Sequence, residues 1–346
     1  MKEKKLLFVG GSKSVHTFNL LALIQDYFDE SLLITDAFNP LHKDVKQIPV
    51  AFSLKNPSHL LSSTIKIRRI IKNYKPDFIV ILQVDTAAFF TTIANREHIP
   101  SLIIGMGSDI LITPKKNCLY KFMAKYVLNN NKYYNTGARY VAKKMQEIIK
   151  KDVDVVVANF GFNSNIVPKQ KQNIIYSNRL HKPLYRIDKI IRSFAIFVKK
   201  HNDWTLVVAA NGDEQNLKNL VKQLHIEDKV KFVGWLNSDE NNNYYAISKI
   251  WVSIPESDCT PISLMEAMAG ECIPIVSDLP TMHEWINNKE NGIIANNLEE
   301  DFFSVALDLD YDSVVKINKN IVENYGSKEK NREKFYSIFD KEFKRE

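Results

Sequence analysis

Short apolar runs alternate with longer amphipathic segments along nearly the whole chain, and this alternation limits the folds that the chain can adopt. Runs such as Phe78–Leu82 and Ile250–Ile254 have the length and β-branched content of strands, whereas Ala138–Lys150 has the spacing of a helix. Strands joined through helices run parallel, so the pattern predicts an α/β fold with helices on both faces of parallel sheets. The twelve predicted strands are Lys5–Val9, Leu32–Thr35, Phe78–Leu82, Ser101–Ile104, Lys132–Tyr134, Val153–Ala158, Asn173–Tyr176, Trp204–Ala209, Val230–Val233, Ile250–Ile254, Ile273–Val276 and Gly292–Ala295.

The length of 346 residues predicts more than one domain. We expect two doubly wound domains of six strands each, residues 1–165 and 166–325, because the polar stretch 163–173 has one proline and no periodicity. Residues 326–346 are strongly charged with aromatic residues at helical spacing, which predicts a terminal helix that packs back across the domains. Ligands of such sheets bind at the carboxyl ends of the strands, here expected in a cleft between the domains.

The cysteine content and the hydropathy pattern indicate the cellular location of the protein. The three cysteines lack any Cys-x-x-Cys spacing, so we expect reduced thiols and neither a disulfide framework nor a zinc site. The apolar run near the start, Leu6–Val9, is too short for a signal peptide, and nowhere do about 20 apolar residues run together as in a membrane-spanning helix. The expected location is therefore the cytoplasm, with peripheral binding at the inner face of the membrane as a further expectation.

Charge is shared unevenly between the two halves. Residues 1–168 hold 23 Lys and Arg against 13 Asp and Glu, while the remainder holds 24 against 27. The segments Thr64–Lys75 and Lys115–Lys132 place many of these cations beside apolar residues, as in helices that rest on anionic lipid. The alternative is that they are ordinary amphipathic helices with solvated lysines. Nucleic acid is not expected as a partner, because no recognised binding module accompanies the charge.

The segment 257–278 begins with a helix start signal that directly follows a predicted strand. Thr260 can cap a helix, and Pro261 at the first helical position would lose no intrahelical hydrogen bond. Because proline has no N–H, the backbone amides of Ile262 and Ser263 are the expected donors at this helix end. Such a helix end, at the carboxyl edge of a sheet, favours a phosphate or diphosphate.

Two carboxylates, Asp258 and Glu266, flank this helix start. Glu266 is expected about a turn into the helix, where a carboxylate can accept hydrogen bonds from a vicinal diol such as that of ribose. Asp258 lies on the loop, where it can meet a second polyol. An anion site between two hydroxyl-binding acids indicates a nucleotide-sugar. The alternative is that Asp258 is a cap and Glu266 a surface charge, and spacing alone does not decide between them.

The helix and the strand after it carry a family resemblance. Met265–Gly270 and Pro274–Val276 resemble the glutamate-x7-glutamate region of the family 4 retaining glycosyltransferases, which have the GT-B fold of two Rossmann-like doubly wound domains facing a central cleft. Further segments that resemble this family are Ser177–Leu180, Val230–Trp235, Met282–Ile286, Asn291-Gly292, Gly107–Ile110 and Asn159–Asn163. The resemblance spans roughly residues 5–310 and is more specific in the C-terminal half.

The resemblance implies roles for residues of the C-terminal half. Glu266 would bind the ribose, and Asp258 would bind hydroxyls of the transferred sugar. Arg179 would bind the diphosphate together with a second cation, either Lys182 or Arg186, of which Arg186 fits the family pattern better. The remaining residues implied in donor binding are Gly234, Trp235, Thr260, Ile262 and Ser263.

The N-terminal half departs from the family pattern. Met106 stands where the family usually has a histidine, and His16 either compensates for it or is structural. Asp109 either orients substrate or caps a helix. Gly11, in the Gly10-Gly11 pair after the first strand, either allows close ligand approach or belongs to an ordinary strand–helix turn.

The implied function is retaining transfer of a sugar, of the hexosyltransferase type, to a glycan or lipid-linked acceptor in cell-surface polysaccharide or glycoconjugate synthesis. The implied donor is a UDP- or GDP-linked sugar, with no other cofactor and no metal. The strings Asp152–Asp154 and Asp308–Asp310 match the Asp-x-Asp pattern of metal-dependent transferases, but matches this short are common by chance. Because Asp258 and Met106 depart from the family, a non-catalytic GT-B subunit that supports a partner enzyme is the alternative.

Overall fold

The computed structural model describes residues 3–54, 57–162 and 165–344. The chain divides into two compact units. The first consists of Met1–Phe160 together with Lys328–Glu346, and the second consists of Gly161–Ser327. Each unit is a parallel sheet with helices packed against it, as the strand–helix alternation predicts.

In the described part of the first unit, seven parallel strands form one sheet in the order β3-β2-β1-β4-β5-β6-β7. These strands are β1 Lys5–Val9, β2 Glu30–Thr35, β3 Gln47–Pro49, β4 Phe78–Leu82, β5 Ser101–Gly105, β6 Tyr133–Thr136 and β7 Val155–Val157. Their connecting helices are α1 Val15–Ile24, α2 Pro57–Tyr74, α3 Thr86–Ala94, α4 Ser108–Leu111, α5 Thr113–Lys116, α6 Cys118–Asn129 and α7 Arg139–Ile148, with 3-10 turns at Gln25–Tyr27 and Pro40–His42. The chain order reverses between β1 and β4, which pair directly with Leu6 opposite Phe78.

In the described part of the second unit, six parallel strands form a sheet in the order β10-β9-β8-β11-β12-β13. These strands are β8 Gln172–Ser177, β9 Thr205–Ala209, β10 Val230–Gly234, β11 Ser248–Ser253, β12 Ile273–Ser277 and β13 Ile293–Ala295. The helices are α8 Ile187–Phe197, α9 Glu214–Gln223, α10 Ser238–Ile247, α11 Ile262–Ala269, α12 Ser304–Leu307 and α13 Tyr311–Ile321, with 3-10 turns at Pro183–Tyr185 and Met282–Glu284 and a π-helical turn at Val322–Gly326. Here the order reverses between β8 and β11.

Apolar cores lie on both faces of the second sheet. One face packs α8 and α9 through Phe194 and Leu220, and the other packs α10 and α11 through Tyr245 and Met265. The strands between them are buried on both faces, and Trp251 of β11 is fully enclosed. This explains why the strands are continuous apolar runs rather than alternating ones.

The last helix, α14 Lys328–Phe343, packs on the first unit. Its Phe335, Ile338 and Phe339 are buried in the same core as residues of β1, α1 and β4. At the helix surface, the Tyr27 hydroxyl donates a hydrogen bond of 2.7 Å to a carboxylate oxygen of Asp340. The predicted helical spacing of its aromatic residues is therefore what fixes this helix to the first sheet.

The first sheet has one strand more than predicted. The prediction of six strands was wrong because β3 is only three residues long, ends in Pro49 and is only partly buried, so it lacks the apolar run of a strand. Such a strand is tolerated because it lies at the sheet edge. The Asp-x-Asp string Asp308–Asp310 lies between two helices, with Asp308 the C-cap of α12 and Asp310 the N-cap of α13.

Among residues 3–54, 57–162 and 165–344, no helix is both long and apolar enough to cross a membrane. Within the same ranges, no three or more His, Cys, Asp and Glu side chains are grouped so that they could hold a metal ion.

Candidate functional site

The polar residues of the second unit converge at the point where its strand order reverses. Arg179 follows the end of β8, and Asp258 lies on the loop after β11, the strand that pairs with β8. Because parallel strands end at the same edge, this switch point brings two loops together outside the carboxyl ends of the strands, where doubly wound sheets bind ligands.

Arg179 is the central cation of this edge. Its Nη2 lies 2.7 Å from Asp258 Oδ2, and its Nη1 donates a hydrogen bond of 2.9 Å to Ser263 Oγ. The guanidinium carbon lies 4.6 Å from the ring centroid of Tyr185, so the aromatic face supports the charge. Both members of the ion pair are mostly buried, and the guanidinium plane is thus fixed on three sides.

Helix α11 spans Ile262–Ala269, but its cap is not the predicted residue. Pro261 has extended backbone and is the N-cap, so the helix starts at Ile262, and the assignment of Thr260 as cap was wrong. Proline has no N–H and its carbonyl accepts from Leu264, which closes the first turn at 3.0 Å. Within the described residues, the amides of Ile262 and Ser263 donate to no acceptor, so a ligand can accept from them; their binding of an anion stays a prediction.

Arg186 lies close to a second acid on the same loop as Asp258. Its Nε is 3.5 Å from Glu256 Oε1, and the Glu256 amide donates to the carbonyl of Leu184. Arg186 itself is left-handed, with φ of 53°, and ends the turn Pro183–Tyr185 before α8 begins. The loop after β11 therefore contributes one acid to each of two arginines, whereas Lys182 is exposed.

Glu266 lies in the second turn of α11 and is mostly buried. Its Oε2 accepts a hydrogen bond of 3.0 Å from the Tyr245 hydroxyl. Burial raises the pKa of the Glu266 carboxyl, and the hydrogen bond from Tyr245 opposes that rise. The other carboxylate oxygen, Oε1, has no donor among the described residues, so it can accept from a ligand hydroxyl.

A polar network behind Glu266 was not found from the sequence. Trp251 Nε1 donates to Asn178 Oδ1 at 3.0 Å, and Asn178 Nδ2 donates to the Tyr245 hydroxyl at 2.7 Å. Asn178 Nδ2 also donates to Asn241 Oδ1 at 3.1 Å, and the same oxygen accepts from the Tyr176 hydroxyl. The network links the end of β8 to α10 and α11 and fixes the rotamer of Tyr245.

The loop after β10 supplies the remaining predicted residues. Gly234 has φ of +68°, a left-handed conformation that disfavours any side chain there even though the space around it is open. Trp235 follows with 63% of its surface exposed. A small cavity of about 60 Å³ lies beside it and is lined by Asn178, Ala209, Ala210, Trp235, Leu236 and Asn241.

Asp109 belongs to the first unit and serves as a backbone anchor there. The buried carboxylate accepts from the Val84 amide at 2.7 Å and from the Met106 amide at 2.9 Å, which ties the turn after β5 to the turn after β4. Burial raises its pKa, and the two amide hydrogen bonds oppose that rise. These contacts anchor the backbone locally, whereas the N-cap of α4 is Gly107; Asp109 also lines a cavity of about 220 Å³ with Asp85 and Tyr120, so substrate orientation stays a prediction.

The turn after β1 holds the other two predicted residues of the first unit. A Cβ on Gly10 would meet Thr17 at 2.7 Å, so this glycine is required by packing. A Cβ on Gly11 would have only ordinary contacts, the nearest at 3.8 Å, so packing does not require a glycine there. His16 is exposed on α1, with its ring 5.3 Å from that of Phe160.

Three contributors to the site were missed from the sequence: Glu256, Tyr185 and the Ser263 hydroxyl. Glu256 lies on the same loop as Asp258, and its closeness to Asp258 in the sequence is the only indication of its role. The Ser263 side chain was overlooked because the helix-start argument concerned backbone amides alone. Tyr185 carries no sequence signal, since its contact depends on how the turn after Lys182 folds.

Family comparisons cover both units. Residues 5–134 match the model of the Glycosyl transferase 4-like proteins, and residues 159–309 match that of the Glycosyl transferases group 1. The chain belongs to the group 1 glycosyltransferases. This membership confirms the predicted glycosyltransferase family and the prediction that the chain is a glycosyltransferase enzyme.

Individual glycosyltransferases resemble the chain at low identity. An uncharacterised glycosyltransferase of Haemophilus influenzae is 26% identical over 84% of this chain and 84% of its own length. The O-antigen chain mannosyltransferase RfbU of Salmonella typhimurium is 25% identical over 49% of this chain and 48% of its own. The crystal structure of Anabaena HepE in complex with UDP aligns with a TM-score of 0.81 and 14% identity, over 98% of this chain and 100% of that one. The two parallel sheets and this structural likeness confirm the predicted GT-B fold.

Proposed function

We propose that this glycosyltransferase binds a nucleotide-sugar, UDP- or GDP-linked, in its second unit and transfers the sugar with retention of configuration. The observation that carries the proposal is the position of Arg179 at the start of α11, in contact with both Asp258 and Ser263. A diphosphate placed there meets a guanidinium and two helix amides, while Glu266 lies one turn further into the helix.

In the proposed diphosphate site, each of the two arginines lies beside an acid of the same unit, which balances its positive charge. Asp258 occupies one edge of the Arg179 guanidinium, and Glu256 lies near Arg186. A bound diphosphate would take over part of this pairing, because two phosphate oxygens match the planar fork of arginine. Asp258 would then be released to accept hydrogen bonds from hydroxyls of the transferred sugar.

The ribose is assigned to Glu266. Tyr245 donates to Oε2, so this carboxylate is held as an acceptor, and Oε1 is available for a vicinal hydroxyl. Because burial raises the pKa of Glu266, the charged acceptor is lost at a higher pH than for an exposed glutamate. Donor affinity is therefore expected to weaken on acidification.

In the proposed transfer, the acceptor hydroxyl attacks the anomeric carbon from the side of the leaving group. The new C–O bond forms as the bond to the diphosphate oxygen breaks, and the hydroxyl proton passes to a diphosphate oxygen. Arg179, Arg186 and the α11 amides stabilise the negative charge that develops on the departing diphosphate. The proposal requires no metal ion and no cofactor besides the donor.

The proposed acceptor is a glycan or lipid-linked saccharide used in cell-surface polysaccharide or glycoconjugate synthesis at the cytoplasmic face of the membrane. The surface of the first unit supports the proposal that the acceptor lies at an anionic membrane. A cavity of about 720 Å³ between α4, α5, α6 and α7 is lined by Lys115, Lys121 and Lys125. Beside it, Leu119 and Phe122 of α6 are more than half exposed, which is the composition of a helix that rests on anionic lipid. The O-antigen mannosyltransferase relative supports a glycan acceptor.

The donor proposal is tested by measuring binding and hydrolysis of UDP-, GDP- and CMP-sugars by wild type and by Glu266→Ala. We expect one nucleotide class to bind and the substitution to weaken its binding at least tenfold, since a charged hydrogen bond to the ribose is lost. The matched control is Glu300→Ala, which removes an exposed glutamate of the same unit. Absence of binding by every nucleotide-sugar, or equal binding by Glu266→Ala, would contradict the proposal.

The membrane proposal is tested by flotation with liposomes that contain anionic lipid. Reversal of charge at Lys115, Lys116, Lys121 and Lys125 is expected to abolish co-flotation. The matched control reverses four exposed lysines of the second unit, Lys199, Lys200, Lys222 and Lys231. Equal flotation of the two variants would rule out this surface as the contact.

A further inference from the structure

The orientation of the Asn178 amide is fixed by Trp251. An indole N–H can only donate, so the atom of Asn178 that faces Trp251 Nε1 at 3.0 Å must be the amide oxygen. Trp251 is fully buried in β11 and cannot turn away. The amide nitrogen of Asn178 consequently points to the opposite side, toward Tyr245 and Asn241.

The orientation of Asn241 follows from that of Asn178. Asn178 Nδ2 donates to Asn241 at 3.1 Å, so the receiving atom must be the oxygen Oδ1. The Tyr176 hydroxyl donates to the same oxygen, which fills both of its lone pairs. The amide nitrogen of Asn241 is left on the other side, and among the described residues it donates to no acceptor. The buried indole of Trp251 therefore determines, through two amides, which atom Asn241 offers to a ligand.

Asn241 lines the small cavity beside Trp235, after the end of β10. Glu266, the proposed ribose ligand, is joined to the same network through Tyr245. A nucleoside whose ribose is held at Glu266 has its base as the next chemical group. The base can then stack on the exposed face of Trp235 and form a hydrogen bond with the partly buried amide of Asn241.

We propose that Asn241 is a specificity-determining residue that donates a hydrogen bond to an exocyclic carbonyl oxygen of the nucleobase. The inference rests on the proposed nucleotide-sugar function and specifies the base class of its donor. The oxygen meant is the one at C4 of a pyrimidine or C6 of a purine: uracil and guanine carry an oxygen there, whereas cytosine and adenine carry an amino group. An amino group facing Asn241 Nδ2 would place two donors against each other and leave both without an acceptor.

The test compares UDP with CDP, and IDP with ADP, by titration calorimetry; within each pair the exocyclic oxygen is exchanged for an amino group, together with the protonation of the adjacent ring nitrogen. Ribose and diphosphate are common to each pair, so the ratio of dissociation constants within a pair isolates the base. Wild type is expected to prefer the oxo member of the pair that it binds by about tenfold or more, because a site built for a hydrogen bond rejects an analogue that lacks it.

The decisive variant is Asn241→Asp, which has nearly the same shape but offers only acceptors. Its carboxylate can still accept from Asn178 and Tyr176, so the network and the fold are kept. The added negative charge weakens both members of a pair alike and cancels in the ratio, whereas the oxo preference is expected to disappear or to invert. Asn243→Asp is the matched control, because it adds the same charge on α10 at a residue that accepts from Lys169 outside the cavity.

A second variant, Trp251→Phe, removes the donor that fixes Asn178 without touching the cavity. It is expected to lower the oxo preference several-fold while diphosphate-dependent binding persists, and thermal denaturation verifies that the variant is folded. If wild type binds nucleotides without preference within either pair, or if Asn241→Asp retains the preference, this inference is overturned and the nucleotide site stands. If wild type binds no nucleotide, the proposed function and this inference fall together.

Discussion

The two units wind their sheets in the same way, yet the switch points of their strand orders carry different chemistry. At the switch of the second unit, between β8 and β11, two arginines face two acids of one loop, next to a helix start with amides available to a ligand. At the switch of the first unit, Asp85 after β4 accepts from the amides of Ala87 and Ala88 in its own turn. Asp109 after the neighbouring β5 accepts from the amide of Met106 in its own turn and from that of Val84 after β4.

On the proposed function, the difference separates the donor site of the second unit from a structural anchor in the first. An acid that pairs with a cation can exchange that cation for a ligand, because both partners are side chains that can move. An acid that joins the amides of two turns, as Asp109 does, cannot be released without disrupting both; Asp258 accepts one local amide, that of Cys259, through Oδ1 and meets Arg179 through Oδ2. Asp258 and Asp109 were both predicted as site residues. Substitution of Asp258 should therefore change ligand binding, whereas substitution of Asp109 should change stability.

The largest expected effect is that of Asp109→Ala on stability. Removal of the buried carboxylate leaves the amides of Val84 and Met106 without an acceptor, at a cost of about 1–3 kcal/mol each. We expect the free energy of unfolding, from urea denaturation, to fall by about 2–5 kcal/mol, while nucleotide affinity of the folded fraction is unchanged. Asp29→Ala is the control, since Asp29 accepts from the Lys4 amide at an exposed position. A loss of nucleotide affinity at unchanged stability would reverse the assignment.

Arg179→Ala is expected to have the next largest effect, on binding rather than on stability. It removes the cation of the proposed diphosphate site and leaves Asp258 facing the phosphates, so the affinity for UDP or GDP should fall about 100-fold. Arg179→Lys, which keeps the charge but not the planar fork, should show an intermediate loss. The corresponding nucleoside should bind both variants as it binds wild type. A change of less than threefold in nucleotide affinity would remove Arg179 from the site.

Asp258→Asn is expected to sharpen the comparison further. Because Asp258 competes with phosphate for Arg179, its neutralisation should tighten nucleoside diphosphate binding by a few fold, whereas hydrolysis of the intact sugar donor should slow. Glu256→Gln should have a smaller effect, since Glu256 is more exposed and lies 3.5 Å from Arg186. Weaker diphosphate binding by Asp258→Asn would contradict this, because it would mean that the carboxylate positions Arg179 for the phosphates and does not compete with them.

The smallest expected effect concerns the pH dependence of stability through Asp85. Burial raises the pKa of this carboxyl to about 6, with Asp109 adding to the rise and the capped amides of Ala87 and Ala88 opposing it. A raised pKa contributes stability at pH below about 4, the value in the unfolded chain, and that contribution is lost as pH rises through about 6. Asp85→Asn keeps a good N-cap but does not titrate. Its Tm relative to wild type should therefore be a few degrees higher at pH 7.5 than at pH 5; a constant difference would contradict this.

The fold could be predicted from the sequence because most strands are buried on both faces. Runs such as Phe78–Leu82 are apolar throughout and need no knowledge of their neighbours to be identified. Gln47–Pro49 could not be identified, because an edge strand is stabilised by pairing with β2 and has no apolar signal of its own. Helix α10 has a weak sequence signal for a related reason, since its start, Ser238–Asn243, is entirely polar.

The candidate site could be predicted only where one element carries the chemistry. The amides of Ile262 and Ser263 and the carboxylate of Glu266 belong to a single helix, so local spacing was sufficient to propose them. The pairing of Arg179 with Asp258 joins residues 79 positions apart, and it depends on which strands are neighbours in the sheet. The network of Trp251, Asn178 and Asn241 depends on side-chain rotamers in three elements, which no sequence pattern encodes.

The position of α14 in the first unit has a consequence for biosynthesis. Phe335, Ile338 and Phe339 complete a core that otherwise consists of residues before Gly161, so the ribosome makes the last part of the first unit after the entire second unit. Domains generally fold in the order of their synthesis, but here the second unit can finish first. Until α14 emerges, the nascent first unit exposes the apolar surface around α1, and this is the stage at which we expect the chain to depend most on chaperones.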